Sequence, residues 1–224
     1  MEPNKTIIRD PDGDFIIIYA EYFDECIQFA QQNKLPKIQL KNAFAVDGVV
    51  SVDFQKLELL SEHLRIISFR DTLEGIINPE YVYALKNLET IYTEKQKFAL
   101  DISKFEKLNH FGGEYWSKLM GIDRAYPLTS AVFRKLPDTN LERLSALKNM
   151  ESLDVYSSKI HSLNGIQNLP IKQLRLSRNN MLEDIEAIRH LKSLQRLDIE
   201  KCKLISDHEI VEELKSKIKV FVIK

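Results

Sequence analysis

The sequence has few of the residues that build disulfide frameworks, flexible linkers or membrane spans. Its 224 residues include two cysteines, seven glycines and seven prolines. Cys26 and Cys202 lie far apart without a CxxC pair, which predicts two free thiols rather than a disulfide or a metal site. No apolar run approaches the roughly 20 residues that cross a bilayer. The polar start MEPNKTIIRDPDGD also lacks the regions of a secretory signal, so we expect a cytoplasmic protein with no membrane partner.

An excess of either charge sign is also missing. The chain has 32 basic and 33 acidic residues, a net charge of −1, and is 29% charged and 44% hydrophobic. This composition is ordinary for a globular protein with a sizeable core. Without a basic excess, the sequence does not predict a nucleic-acid partner.

Catalytic and cofactor motifs are lacking as well. The five histidines show no HExxH pattern, and the double glycine at 112–113 precedes no GK[ST] phosphate loop. No GxSxG nucleophile motif occurs. We therefore expect no enzyme activity, catalytic residue, cofactor or metal. The nearest alternative is a site built on His110 and Glu114, which occupy different places on one predicted strand.

What the sequence does have is an internal repeat. The template L-x-x-L-x-L-x-x-N/C-x-L fits three successive stretches from Met150 to Leu204. Their apolar and ninth-place residues are Met150–Leu153–Val155–Ser158–Ile160, Ile171–Leu174–Leu176–Asn179–Met181 and Leu194–Leu197–Ile199–Cys202–Leu204. Looser copies begin at 35, 64, 88, 108 and 128, and Ile218–Phe221–Ile223 gives a truncated last copy. Places are numbered below from the first residue of each copy.

These stretches resemble leucine-rich repeats, and MESLDVYSSKIHSLNGIQNLP (150–170) is similar to the internalin-like class, with further apolar places at Leu163, Ile166 and Leu169. The resemblance covers residues 35–224 and implies a small stand-alone bacterial binding scaffold. The implied fold is α/β: a right-handed solenoid, or horseshoe, with a parallel sheet on its concave face. Fold-level analogy does not identify an activity.

Both ends of the array carry patterns that are typical of caps. The strand FIIIY (15–19) precedes a helix with Tyr22, Phe23, Cys26, Ile27 and Ala30 on one face. Ser206 and Glu209 match a capping box before a helix that buries Ile210, Val211 and Leu214. We therefore expect an N-terminal cap over 1–34 and a repeat array with its own cap over 35–224, forming one continuous and complete domain.

The residues that point away from the core are the candidates for function. Side chains alternate along a strand, so the third, fifth and seventh places share the concave face. From these places we select eight predicted partner-binding residues: Tyr92, His110, Glu114, Arg134, Asp154, Tyr156, Arg175 and Arg196. Tyr and Arg are enriched at binding hot spots. The alternative is a solvated sheet on which Asp154, Arg175 and Asp198 simply pair across strands.

The copies between 88 and 136 depart from the template in a block. Gly113 replaces a core residue, and Trp116 stands where Asn or Cys is usual. A structural interpretation is that Trp116 or Phe111 fills the space that Gly113 leaves. A functional interpretation is an irregular surface shaped for one partner, with Tyr115 and Trp116 along its edge.

Two classes of function follow from a binding scaffold. The first is a protein-binding module that grips a partner protein on its concave face, as an inhibitor or as an immunity protein that neutralises a toxin. The second is an adaptor or substrate receptor in a larger complex, which needs a further recruiting segment. The sequence identifies neither the partner nor the oligomeric state.

Overall fold

The structure is a computed structural model that describes residues 6–44, 48–206 and 208–224. The first five residues of the predicted N-terminal cap lie outside this range. The chain forms two compact units. The first comprises Met1–Leu108 and Trp116–Met120, and the second comprises Asn109–Tyr115 and Gly121–Lys224.

Short strands and short helices alternate along the chain. The strands are β1 (Phe15–Tyr19), β2 (Lys37–Lys41), β3 (Val52–Asp53), β4 (Ile66–Phe69), β5 (Ile76–Ile77), β6 (Thr90–Thr93), β7 (Leu100–Asp101), β8 (His110–Glu114), β9 (Leu119–Met120), β10 (Ser130–Arg134), β11 (Ser152–Tyr156), β12 (Gln173–Ser177), β13 (Arg196–Glu200) and β14 (Lys219–Ile223). The α-helices are α1 (Phe23–Gln32) and α2 (Glu209–Leu214). The 3-10 helices are Ala20–Tyr22, Phe54–Leu60, Pro79–Ala84, Ile102–Lys104, Ile122–Arg124, Glu142–Leu144 and Glu186–His190.

Parallel pairing joins the strands of each unit. In the first unit the order is β1-β2-β4-β6, with small two-stranded pairs β3-β5 and β7-β9. In the second unit the order is β8-β10-β11-β12-β13-β14. All nine predicted repeat strands and the N-terminal strand are therefore confirmed as strands of parallel sheets. Parallel strands follow one another because each return segment brings the chain back to the same edge.

Alternating burial along the strands confirms the predicted inside and outside places. In β10, β11 and β13 the second and fourth residues are buried and the other three are partly exposed. Leu163, Ile166 and Leu169, in the segment that returns between β11 and β12, are also buried. The core of the second unit thus lies between its sheet and its return segments.

The last strand differs from the prediction by one residue. The template places Phe221 and Ile223 in the core, but Val220 pairs with Leu197 and Val222 with Ile199. Phe221 and Ile223 consequently point to the other side, with 51% and 59% of their surfaces exposed. A shift of one residue moves every side chain of a strand to the opposite face.

Two eleventh-place predictions are also wrong. Met181 and Leu204 are 46% and 56% exposed, whereas the next residues, Leu182 and Ile205, are fully buried. Ile160, at the same place in its copy, is buried as predicted. The turns of the last two full copies therefore reach the core one residue later than the template indicates.

Ninth-place side chains connect successive repeats of the second unit by a ladder of hydrogen bonds. The backbone N–H of Leu136 donates to Ser158 Oγ (3.0 Å), that of Ser158 to Asn179 Oδ1 (2.9 Å) and that of Asn179 to Cys202 Sγ (3.4 Å). Asn179 Nδ2 also donates to the Val155 carbonyl at 2.9 Å. These bonds satisfy turn backbone that no strand ladder reaches, as predicted for Asn179.

In the first unit the same place is filled by unusual residues that satisfy the backbone in a similar way. Gln96 is buried, donates to the Asp71 carbonyl at 2.8 Å and accepts the Leu73 N–H at 3.0 Å. Trp116 is 3% exposed and its indole N–H donates to the Phe98 carbonyl at 3.1 Å. Trp116 is therefore a core residue, and the predicted partner-binding edge cannot include its ring.

The glycine in the irregular copy lies beside a large side chain of the next strand. Within the second unit, Gly113 pairs with Phe133 and Phe111 pairs with Ala131, so each large residue neighbours a small one. The two phenylalanine rings are 5.7 Å apart between centroids and both are buried. Phe133 is the large residue next to Gly113 on the neighbouring strand, and that Trp116 or Phe111 fills the space beside Gly113 stays a prediction.

The end segments also match their predicted roles in part. Helix α1 buries Phe23, Cys26, Ile27 and Ala30 of its predicted apolar face, whereas Tyr22 precedes the helix and is partly exposed. Helix α2 buries Ile210 and Val211, whereas Leu214 is partly exposed. The capping box is wrong, because the N-cap of α2 is His208, whose Nδ1 accepts the Ile210 N–H. Ser206 Oγ instead donates to the Cys202 carbonyl at 2.8 Å.

Candidate functional site

The candidate site lies on the side of the second unit's sheet that faces away from the core, here called the open face. Strand register aligns its residues in three rows. The row of third places is His110, Ser130, Ser152, Gln173 and Arg196, which Lys219 continues on β14. The row of fifth places is Gly112, Val132, Asp154, Arg175 and Asp198, which Phe221 continues. The row of seventh places is Glu114, Arg134, Tyr156, Ser177 and Glu200, which Ile223 continues. Neighbouring strands lie about 4.8 Å apart, so adjacent members of a row are within reach of one another.

Four predicted site residues surround one depression on the open face. Arg134, Asp154, Tyr156 and Arg175 line a cavity of about 400 Å³ together with Val132, Val155, Ser177 and Glu200. An adjoining cavity of about 270 Å³ is lined by Arg175, Arg196, Asp198, Ile199, Glu200, Phe221 and Ile223. Arg175 belongs to both cavities, which places it at the centre of the site.

A chain of charges runs across the floor of the site. Arg175 contacts a carboxylate oxygen of Asp154 and one of Asp198, each at 3.4 Å. Asp198 is held more closely by Arg196, whose Nε lies 2.9 and 3.0 Å from the two carboxylate oxygens. The cross-strand pairing that the sequence left open therefore exists. Both cross-strand contacts are those of Arg175, and their distances approach the limit of a hydrogen bond. The shorter Arg196–Asp198 pair lies within β13.

The Asp154 carboxylate differs from that of an ordinary ion pair. Burial raises the pKa of Asp154, and the nearby Asp198 raises it further, while Arg175 only partly opposes the effect. An ion pair formed for stability lowers the pKa of its carboxyl group. Asp154 is therefore a charge that the fold holds at a cost, which is a feature of functional sites.

Tyr156 on the open face is joined by Phe221 and Ile223, two exposed apolar residues that add contact surface. Arg178 lies over the Tyr156 ring with its guanidinium carbon 5.7 Å from the centroid, and Arg196 lies 4.8 Å from that of Phe221. Such cation–π contacts fix the direction of an aromatic ring. Phe221 and Ile223 are not among the predicted site residues, because the repeat template places them in the core. The signal that could have found them is the strict alternation of KVFVI, which fits either register.

The remaining predicted residues lie outside the depression. Glu114 pairs with Lys135 at 3.1 Å. Burial lowers the pKa of His110, which keeps this imidazole neutral near pH 7. Tyr92 belongs to the first unit, on β6, where it is 40% exposed. Burial and the Asp12 and Asp10 carboxylates raise its pKa.

The structure does not assemble the enzymatic alternative. His110 and Glu114 are four residues apart on β8, which separates their backbones by about 13 Å. Nowhere in the described ranges do three or more His, Cys, Asp or Glu side chains cluster as metal ligands would. Cys26 and Cys202 are both buried and form no disulfide, and desolvation raises the pKa of Cys202, which makes it a poor nucleophile.

Comparison with solved structures identifies the fold. The chain superposes on internalin C2 of Listeria monocytogenes with a TM-score of 0.61 at 13% identity, covering 90% of this chain and 91% of that one. On an internalin (inlF) of the same species the TM-score is 0.60 at 15% identity, covering 88% of this chain and 64% of that one. On the leucine-rich repeat domain of the type III effector XopL it is 0.58 at 17% identity, covering 88% and 79%.

These similarities show the α/β leucine-rich-repeat fold that the repeat pattern predicts. The chain spans less than two thirds of the inlF structure. No protein-family model and no curated protein matches the sequence. No helix in the described part of the chain has the length and apolarity to cross a membrane.

Proposed function

We propose that this chain is a non-catalytic protein-binding module whose partner docks on the open face of the second unit. The observation that carries the proposal is the shared depression lined by Arg134, Asp154, Tyr156 and Arg175. Arginine and tyrosine give much contact area for little lost side-chain freedom, so they dominate binding energy when a partner covers them.

The state of Arg175 supports this role. Its side chain is 52% exposed, and both of its carboxylate contacts are 3.4 Å long. A partner carboxylate or carbonyl could therefore accept from Arg175 without breaking a strong internal bond.

The apolar end of the face supports a protein partner in particular. Phe221 and Ile223 are both more than half exposed and lie on the same face as Arg175. Protein interfaces combine an apolar centre with polar surroundings, and this face offers both within one surface.

We propose further that binding acts by covering the partner, as an inhibitor or an immunity protein does for a toxin. Arg134, Tyr156 and Arg175 on this face would act by occupying the surface of the partner that they contact. The adaptor or substrate receptor is the alternative, and it differs in outcome because an adaptor leaves its partner active.

The experiment begins with a partner recovered from the native host and purified. Calorimetric titration of this partner should show that Tyr156→Ala and Arg175→Ala each weaken binding about tenfold or more, which corresponds to about 1.4 kcal/mol. The melting temperature of each variant should stay near that of the parent. Lys192→Ala is the matched control, because Lys192 is exposed and lies in the segment that precedes β13 rather than on the open face.

Equal binding by the parent, Tyr156→Ala and Arg175→Ala would show that the partner docks elsewhere. The inhibitor role is tested by assaying the partner's own activity with and without the chain. Activity that is unchanged in the saturated complex would favour the adaptor instead.

A further inference from the structure

Four successive repeats of the second unit turn through the same strained backbone conformation. At the eighth place, Lys135, Ser157, Arg178 and Lys201 have φ of 58°, 49°, 54° and 53°. This left-handed region favours glycine or asparagine and costs most other residues about 1 kcal/mol or more. Three of the four residues are nonetheless lysine or arginine.

Backbone hydrogen bonds between successive repeats align these eighth-place residues in a row. The backbone N–H of Lys135 donates to the Tyr156 carbonyl (3.0 Å) and that of Arg178 to the Glu200 carbonyl (2.8 Å). The N–H of Lys201 makes the equivalent bond to Ile223. Each bond joins the C-terminal end of one strand to that of the next, so these residues lie in a row along the C-terminal ends of the strands.

Two tenth-place lysines extend this row of positive charge. We define the basic ledge as Lys135, Lys159, Arg178, Lys201 and Lys203, all of which are exposed. The Lys159 N–H donates to the Leu136 carbonyl at 3.0 Å, which sets it beside the preceding repeat. Four neighbouring strands span about 14 Å, so the charges lie within one or two Debye lengths and reinforce one another.

The ledge is largely unneutralised. Lys135 pairs with Glu114, but no carboxylate in the described ranges lies within ion-pairing distance of the other four cations. Elsewhere in the same unit, Arg189 pairs with three carboxylates: Glu186, Glu209 and Glu213. The ledge therefore presents four such cations along one end of the strands.

We propose that the basic ledge binds an acidic segment of the partner protein and steers that partner onto the open face. The proposal rests on the proposed function. Arg178 belongs to the ledge and lies over Tyr156, which makes the two surfaces continuous. Rim charges of this kind mainly raise the association rate and make it depend on salt.

The neighbouring open face favours a protein over a nucleic acid. Its cations are balanced by the carboxylates of Asp154, Asp198 and Glu200, which lie at fifth and seventh places of β11 and β13, on either side of β12. A phosphate backbone crossing from the ledge onto the face would meet these acids, whereas a protein can place basic or apolar side chains there.

The test uses a fluorescent glutamate peptide of roughly 20 residues as the probe, since a ledge of this charge acts through screened electrostatics. Its binding to the full chain is followed by anisotropy at low and at physiological salt. The ledge variant carries Lys135→Glu, Arg178→Glu and Lys201→Glu. The matched control carries Lys148→Glu, Lys192→Glu and Lys217→Glu, three exposed lysines of the same unit that precede strands. Both variants change the net charge by the same amount.

We expect the parent and the control to bind the peptide at low salt and the ledge variant to bind at least about tenfold more weakly. Equal loss in both variants, or none in either, would overturn the proposal. Tighter binding of a thymidine oligonucleotide of equal charge would overturn it in favour of a nucleic acid.

The recovered partner separates this inference from the proposed function. The ledge variant should slow association and flatten its salt dependence, while Tyr156→Ala should mainly speed dissociation. If Tyr156→Ala weakens binding and the ledge variant associates as the parent does, the ledge proposal fails and the proposed function stands.

Discussion

The pKa of Asp154 differs from the value that its arginine neighbours on the open face suggest. It lies between Arg134 and Arg175 on the open face and has an arginine within contact distance. Its pKa is nevertheless raised, because burial outweighs the attraction of Arg175 across 3.4 Å. A partner that donates a hydrogen bond to this carboxylate would recover the cost.

A stability measurement follows from the direction of this pKa shift. A carboxyl whose pKa is raised by folding costs nothing below its ordinary pKa of 3.8, and stability is lost as pH rises through the folded pKa. Asp154→Asn should therefore raise the melting temperature at pH 7, and the gain should vanish below pH 3.8. Thermal scans of the parent and the variant across this range provide the check. A lower melting temperature for Asp154→Asn at pH 7 would mean that its pair with Arg175 stabilises the fold.

Strands β8 and β10 show how two elements compensate for one another. The sixth-place Gly113 of β8 pairs with Phe133, and the fourth-place Phe111 pairs with Ala131. All four are buried. Protein interiors are close-packed, so a small side chain on one strand calls for a larger one on the neighbouring strand. The irregular copy is thus a local exchange of volume between adjacent repeats.

This exchange predicts coupling between two substitutions. Gly113→Val adds volume against Phe133 and should cost about 1–3 kcal/mol by overpacking. Phe133→Val opens a cavity and should cost about 2–4 kcal/mol. The double variant should be more stable than the sum by about 1 kcal/mol or more, measured by urea unfolding. Additive losses would show that the two positions do not share space. Leu197→Ala combined with Gly113→Val is the control pair, since three strands separate β13 from β8 and additivity is expected.

At the scale of the whole molecule, the question is whether the chain unfolds as one cooperative domain. The chain forms two compact units, and the sequence predicts one continuous domain with a cap over 1–34 and an array over 35–224. We keep the single domain as a proposal, because the repeats from 64 onward follow one another every 20–24 residues without a linker. In solenoids each repeat is stabilised by its neighbours, so unfolding spreads along the array.

One tryptophan makes this proposal testable. Trp116 belongs to the first unit and Leu197 to the second, and both are buried. Leu197→Ala should cost about 2–5 kcal/mol. In a single cooperative domain it should lower the urea midpoint reported by Trp116 fluorescence as much as that reported by circular dichroism. An unchanged fluorescence midpoint would show independent domains. Ile67→Ala, a core truncation in the first unit, is the control that should shift the fluorescence in either case.

The sequence by itself determined the strands and the rows of the candidate site. Leu153, Val155 and their equivalents are apolar at every second residue, and side chains of a strand must alternate, so the inside and outside places follow from the pattern. A spacing of 20–29 residues then stacks these places in register.

Only the tertiary structure decided what depends on neighbours from other repeats. KVFVI alternates in either register, and it is the pairing of Val220 with Leu197 that turns Phe221 outward. The pKa of Asp154 is set by burial and by charges on the next strands, and the basic ledge arises from a backbone conformation shared by four repeats. Such properties belong to the packing between repeats, which a single repeat's sequence does not contain.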